Sequence, residues 1–204
     1  MKFIVMFLKL IKLAIGKIKH SIELNKYNRF TIAEYFRKQG AQIGEGCSII
    51  PSFIGSEPYL VKIGNNVTIA EGVMFMTHDG AVWAFRKEIP DIQVFGKIEI
   101  EDNCVIGQNA ILFPNVKIGK NSIIGAGSVV ISDIPENTIA IGVPARAFGS
   151  VEKYKEKCIS KWQEQRPPDC VIEEGKTWWN SAHYNENRAK LQAHLVKLFW
   201  GEKK

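Results

Sequence analysis

The stretch Val116–Val130, VKIGKNSIIGAGSVV, sets an aliphatic residue with glycine behind it at Ile118 and again six positions on at Ile124. The step extends in both directions: Ile100, Ile106, Leu112, Ile118, Ile124 and Val130 keep it unbroken, and Ile63, Ile69 and Phe75 echo it earlier, after a first pair at Ile43 and Ile49. Four positions beyond members of this series stand Val67, Val73, Cys104, Ala110, Val116, Ser122 and Ser128, all small or β-branched. A strict six fits neither the 3.6-residue turn of an α-helix nor the two-residue alternation of a flat strand. It fits a short extended segment followed by a corner, with the first and fifth residues pointing inward and glycine easing the turn. Repeats of this length predict a β-helix in which each coil covers its neighbour and only the ends need caps.

Two interruptions break the rhythm. Between Ser52 and Leu60 a short irregular piece shifts the phase by two, and DGAVWAFRKEIPDIQVFGK, residues 79–97, leaves the repeat altogether. This second piece lacks the small inward residues that stacking needs, so it is expected to loop out, and loops on a rigid scaffold are where binding groups collect. The chain divides into a lead-in over 1–39, a repeat domain over 40–149 and a helical extension over 150–204. In the extension, Val151–Gln165 and Ser181–Trp200 read as helices on either side of an RPPD break.

Composition narrows the function. A chain of 204 residues with 46% hydrophobic and 24% charged residues is ordinary for a folded globular protein, which excludes disorder. The net charge of +6 is uneven: +7 over 1–39, −4 over 40–149 and +3 over 150–204. A mildly acidic repeat domain excludes a nucleic-acid groove through the middle. Cys47, Cys104, Cys158 and Cys170 show no C-x-x-C spacing and are expected to be buried free thiols in a reducing, cytoplasmic setting.

The first twenty residues, MKFIVMFLKLIKLAIGKIKH, form an amphipathic helical pattern, with Phe3, Ile4, Phe7, Leu8, Leu10, Ile11, Ala14, Ile15 and Ile18 on one arc and Lys2, Lys9, Lys12, Lys17, Lys19 and His20 opposite. Lys9 and Lys12 interrupt the apolar run and no A-x-A-like site follows, so neither export nor a membrane span is expected. Two readings of the helix stand side by side: peripheral contact with the anionic inner face of the cytoplasmic membrane, or packing on protein.

The strings IGNNVTIAEGVMFMTHDG, NCVIGQNAILFPNVKIGKNSIIGAGSVV and IPENTIAIGVPAR resemble the hexapeptide-repeat acyltransferases, in particular the sugar O-acetyltransferases of capsule and lipopolysaccharide synthesis, over about Ile43 to Arg146. The resemblance implies a mainly β fold: a left-handed parallel β-helix of hexapeptide repeats, three sides per coil, with an excursion loop and flanking N- and C-terminal helices. It further implies a homotrimer with active sites between subunits, acetyl-coenzyme A as co-substrate, a sugar or glycan acceptor and no metal. His78, the only histidine in the repeat domain, matches the family's general base, and an imidazole titrating near neutrality suits that role.

By the same resemblance Gln108, Gly125, Ala126, Ser132 and Arg146 contact the cofactor, Arg146 supplying a permanent cation for a phosphate. This chain has Ile131–Ser132 where relatives often carry Thr-Lys, so one cation is missing; Lys117 and Lys120 stand as replacements. Val105 occupies a position where many relatives have tryptophan. In the loop, Asp79, Trp83 and Arg86 are candidate acceptor contacts, the aromatic for stacking on a sugar. The partner that orients His78 is open among Asp79, Glu101 and Asp102. Against transfer stand a binding or assembly module that kept the scaffold without catalysis, and a metal-dependent carbonic-anhydrase relative, which needs several histidines.

Overall fold

The structure is a computed structural model and describes residues 11, 15–16, 18–19, 21–171, 173–177 and 181–201. Much of the N-terminal pattern over 1–20 lies outside these. The chain forms two compact units, Met1–Val151 and Glu152–Lys204.

In the first unit the six-residue series becomes strands of two or three residues that stack into three parallel faces. The first face holds β1 (Gln42–Ile43), β3 (Val61–Ile63), β6 (Ile98–Ile100) and β9 (Val116–Ile118). The second holds β2 (Ser48–Ile49), β4 (Thr68–Ile69), β7 (Val105–Ile106) and β10 (Ile123–Ile124), and it ends in β12 (Thr138–Gly142) and β13 (Ala145–Ser150). The third holds β5 (Met74–Phe75), β8 (Ile111–Leu112) and β11 (Val129–Val130). Register puts like on like, with Ile63 against Ile100 and Ile118, Ile69 against Ile106 and Ile124, and Phe75 against Leu112 and Val130. These side chains are buried, as are the residues four positions on, so both inward positions of the hexad are occupied as the spacing requires. Each fully buried aliphatic contributes about 1.5–3 kcal/mol relative to exposure.

The corners differ from the sequence expectation in one respect. The tight turn at most corners is made by asparagine: Asn66, Asn103, Asn109, Asn115, Asn121 and Asn137 all adopt φ between 55° and 62°. Asparagine tolerates this left-handed conformation better than other side chains do. Most glycines that follow the inward aliphatics have a different task. A Cβ on Gly107 would lie 2.5 Å from the backbone nitrogen of Ala126 on the next coil, and one on Gly119 equally close to that of Glu136. Glycine there makes room for stacking rather than for turning.

Both ends of the prism are closed. Helix α1 (Ile32–Lys38) buries Ile32, Ala33, Tyr35 and Phe36 over the first coil. Arg37 ties it down by donating from Nε to the Ile43 carbonyl at 2.8 Å and from Nη2 to that of Gly44 at 2.7 Å. At the other end β13 turns back antiparallel on β12 and covers the last parallel edge of the second face.

The second unit contains α2 (Val151–Gln165) from its second residue onward and α3 (Tyr184–Trp200), the latter beginning three residues after the expected Ser181. Buried Asn187 of α3 donates to the Val171 carbonyl at 2.6 Å and accepts from its N–H at 3.2 Å. Cys47, Cys104 and Cys170 are buried free thiols, but Cys158, on α2, is exposed, a departure from the sequence expectation. Burial pushes the Cys104 thiol up from its ordinary value, consistent with an inert core position.

Candidate active site

β5 ends on the edge where the third face turns toward the first, and Thr77 and His78 follow it. Thr77 is buried; His78 begins the excursion. The two ends of the loop are zipped together: His78 bridges Phe95, the Asp79 N–H donates to the Val94 carbonyl at 2.9 Å, and the Gly96 N–H donates to that of Thr77 at 3.0 Å. This pairing fixes the imidazole at the loop mouth instead of letting it move with the loop tip.

Beneath it, on the same edge, the irregular piece of the first coil delivers Glu57, which sequence reasoning missed. Its Oε2 lies 3.1 Å from Nδ1 of His78 and accepts the Thr77 hydroxyl at 2.5 Å. Burial acts to raise the Glu57 pKa, but the hydrogen bonds from Thr77 and His78 outweigh it and hold the carboxyl below its usual value. An ionised Glu57 accepts a hydrogen bond from Nδ1–H, the tautomer that places the ring's lone pair on Nε2. The imidazole is half exposed at 46% while Glu57 is at 14%, so the acid is held inside and the ring faces out.

His78 opens onto a cavity of about 290 Å³ that Asp79, Trp83, Arg86 and Phe95 help to line. The loop candidates are therefore gathered around the histidine. Arg86 stacks its guanidinium 4.8 Å from the centre of the Trp83 ring. Asp79 has a local task, since its carboxylate accepts the Ala81 N–H at 2.9 Å and caps the 3-10 helix Gly80–Phe85. Of the three acids considered as partners for His78, none holds the ring. Asp102 accepts the Asn65 N–H at 2.6 Å, and Glu101 pairs with Lys117 at 2.7 Å.

The cofactor candidates fall elsewhere. Gln108, Gly125 and Ala126 lie on the edge between the second and third faces, on successive coils, where the Gln108 carbonyl accepts the Gly127 N–H at 2.8 Å. Gly125 has a packing reason of its own, because a Cβ there would sit 2.6 Å from Cγ2 of Ile141. Arg146 is the partner of Ile141 in the terminal hairpin, so it belongs to the same region one coil on. It is exposed, donates to the Ala145 carbonyl at 2.9 Å, and pairs with no carboxylate among the described residues. Ser132 is exposed beyond β11 on the edge that carries His78. Gln108, Gly125, Ala126, Ser132 and Arg146 are all absent from the lining of the His78 cavity. Within one chain, the imidazole and the group around Arg146 are therefore on different edges of the prism.

A larger hollow of about 760 Å³ lies against the first face, between Lys62, Glu99, Lys117 and Glu136. Its charges are largely spent on one another, with Lys120 joined to Glu136 at 3.3 Å and Lys117 to Glu101. The lysines considered as substitute cations for the cofactor are thus already paired.

Comparison with known proteins agrees with this architecture. Residues 97–132 match the model of the bacterial transferase hexapeptide family (six repeats). Protein CapG of Staphylococcus aureus is 45% identical over 126 residues, covering 60% of this chain and 73% of CapG. The galactoside O-acetyltransferase of Lactococcus lactis is 32% identical, covering 59% of this chain and 71% of that protein. The Escherichia coli galactoside O-acetyltransferase is 39% identical, but the chain spans less than half of its length, 46%. Among solved structures, a maltose O-acetyltransferase from Clostridium difficile 630 aligns with a TM-score of 0.48 at 26% identity, covering 58% of this chain and 74% of the other. The chain belongs to the bacterial hexapeptide-repeat transferases and is an enzyme of their acetyltransferase branch. Membership carries the left-handed sense of coiling.

Proposed function

We propose that the chain transfers an acetyl group from acetyl-coenzyme A to a hydroxyl of a sugar or cell-surface glycan, with His78 as general base. The observation that carries this reading is the imidazole held at Nδ1 by Glu57, 3.1 Å away, at the edge of a cavity that His78 helps to line. Nε2 of His78 takes the proton of the acceptor hydroxyl as its oxygen attacks the thioester carbonyl carbon. When the tetrahedral adduct collapses, the C–S bond breaks and the imidazolium returns the proton to the departing thiolate, giving the O-acetyl ester and the free thiol. Glu57 orients the ring and stabilises the imidazolium between the two transfers. Trp83 and Arg86 are placed to receive the acceptor.

The names of the Lactococcus lactis and Escherichia coli relatives, both galactoside O-acetyltransferases, support an acceptor of sugar type. Arg146 is proposed to hold a phosphate of coenzyme A, with Gln108, Gly125 and Ala126 lying along the same groove and Ser132 contributing a hydroxyl. Because Arg146 and His78 occupy different edges of one prism, the complete site is proposed to form between copies, in a homotrimer.

The test is a panel of sugar and glycan acceptors offered with acetyl-coenzyme A, with release of free thiol as the readout. Acceptor-dependent release by the intact protein, reduced about 10²- to 10⁴-fold in His78→Ala, is the expected result. Equal release by His78→Ala on the best acceptor removes the general-base reading.

A further inference from the structure

Among the described residues, the N-terminal helical positions carry an apolar face that none of the others covers. Positions 21–24 are helical and end where Leu24 and Tyr27 pack against the core below α1. Before that anchor the described helical positions include Ile11, Ile15, Ile18 and Ile22, spaced four, three and four residues apart. At the 100° per residue of a helical pattern, these positions fall within about 60° of one another, on one stripe. Their exposures are 39%, 47%, 58% and 58%, so the apolar stripe faces outward along its described length. Among the described residues, this stripe lies outside the buried core, which the segment joins at Leu24 and Tyr27.

Charge decides what it fits. Lys19 is exposed beside the stripe, and the sequence adds Lys2, Lys9, Lys12 and Lys17 around the rest of the wheel. The lead-in up to residue 39 carries nine basic and two acidic side chains, whereas the repeat domain carries seven basic and eleven acidic. Close by, the Ile49 N–H donates to the Arg29 carbonyl at 2.7 Å, which brings exposed Phe30 and Arg29 beside exposed Ile50 at the same end of the prism. Arg29 stacks over the Phe30 ring at 4.6 Å, a basic group and an aromatic presented together. Isoleucines flanked by lysines match the boundary between acyl chains and anionic headgroups, where the apolar stripe enters the lipid and the lysines stay with the phosphates.

We propose that this helix docks the enzyme on an anionic lipid surface, lying in its plane through Ile11, Ile15, Ile18 and Ile22. The site around His78 would then work beside a membrane, where an acceptor attached to lipid is concentrated. The docking itself does not depend on which acceptor is used.

The test is sedimentation of the full chain with vesicles of phosphatidylcholine alone and with about one third phosphatidylglycerol. The expected result is co-sedimentation with the anionic vesicles, weakened at least tenfold by roughly 0.5 M salt, where screening shortens to a few ångströms. The double variant Ile15→Glu and Ile18→Glu is expected to lose binding by a similar factor while keeping its thermal unfolding midpoint. The salt titration of the unaltered protein stands independently of that variant's folding. Two outcomes overturn the proposal: equal sedimentation with both vesicle types, or no binding to either together with a change of oligomeric mass in the double variant, which assigns the stripe to contact between copies.

Discussion

His78 and Glu57 are 21 positions apart in sequence, yet Glu57 decides what the imidazole can do. Its carboxylate fixes the Nδ1–H tautomer only while ionised, and the hydrogen bonds from Thr77 and His78 hold its pKa below the ordinary 4.5 against the opposing effect of burial. A depressed carboxylate pKa contributes stability that is fully present above the unfolded value and is lost as pH falls through the folded value. In Glu57→Gln the fall of stability on the acid side of 4.5 should therefore flatten, as thermal melts across that range will report. Transfer should fall about 10²-fold or more with an unchanged KM for acetyl-coenzyme A, because a glutamine amide offers Nδ1 a donor and favours the wrong tautomer. Thr77→Val removes one stabilising donor and should move the acid limb of the stability curve toward higher pH. Parallel acid limbs for Glu57→Gln and the unaltered protein would mean that Glu57 is not held ionised by these contacts. The placement of His78 at the loop mouth was legible in the sequence because the repeat stops there. Its partner was not, because the irregular piece between Ser52 and Leu60 carries no period to count. Only the stacking of the first coil on the second puts both interruptions on one edge.

At the scale of the coil, the inward positions were legible throughout, since a period of six leaves every third of a turn the same burial requirement. The corners were misjudged, because glycine and asparagine both serve tight turns and sequence alone does not separate a turn from a close approach. Asn121 tests the distinction. It holds φ at 56° and stands in a ladder of side-chain amides, accepting from Asn103 at 3.1 Å and donating to Asn137 at 3.0 Å. Asn121→Ala gives up both bonds and places a Cβ in the left-handed region, with an expected loss of about 1–3 kcal/mol by denaturant unfolding. Asn121→Gly also loses the ladder but adopts the turn without strain, so it should be milder by about 1 kcal/mol. Equal losses would assign the whole effect to the ladder and none to the turn.

Across the whole molecule the three faces of the prism are not equivalent. The outward positions of the first face are Lys62, Glu99 and Lys117, a solvated surface. Those of the third face are Met74, Ile111 and Val129, followed one pleat on by Met76, Phe113 and Ile131, so that face is apolar from coil to coil. It lies between the edge that carries His78 and the edge that carries Gln108, Gly125 and the hairpin of Arg146. A contiguous apolar surface of this kind marks an interaction site, and a head-to-tail contact that closes into a ring presents different edges of neighbouring copies to each other. In the proposed trimer, burying the third face draws the histidine edge of one copy toward the arginine edge of the next. Phe113→Glu should then lower the oligomeric mass and abolish transfer even though it touches neither half-site. The sharper measurement mixes two impaired chains. If each site of that trimer takes His78 from one copy and Arg146 from another, random co-assembly of His78→Ala with Arg146→Ala rebuilds about one intact site in four at equal proportions. Measured at acetyl-coenzyme A below its KM, the mixture should exceed the sum of the separate variants. A site completed within one chain predicts that mixing restores nothing, because every copy then carries its own defect.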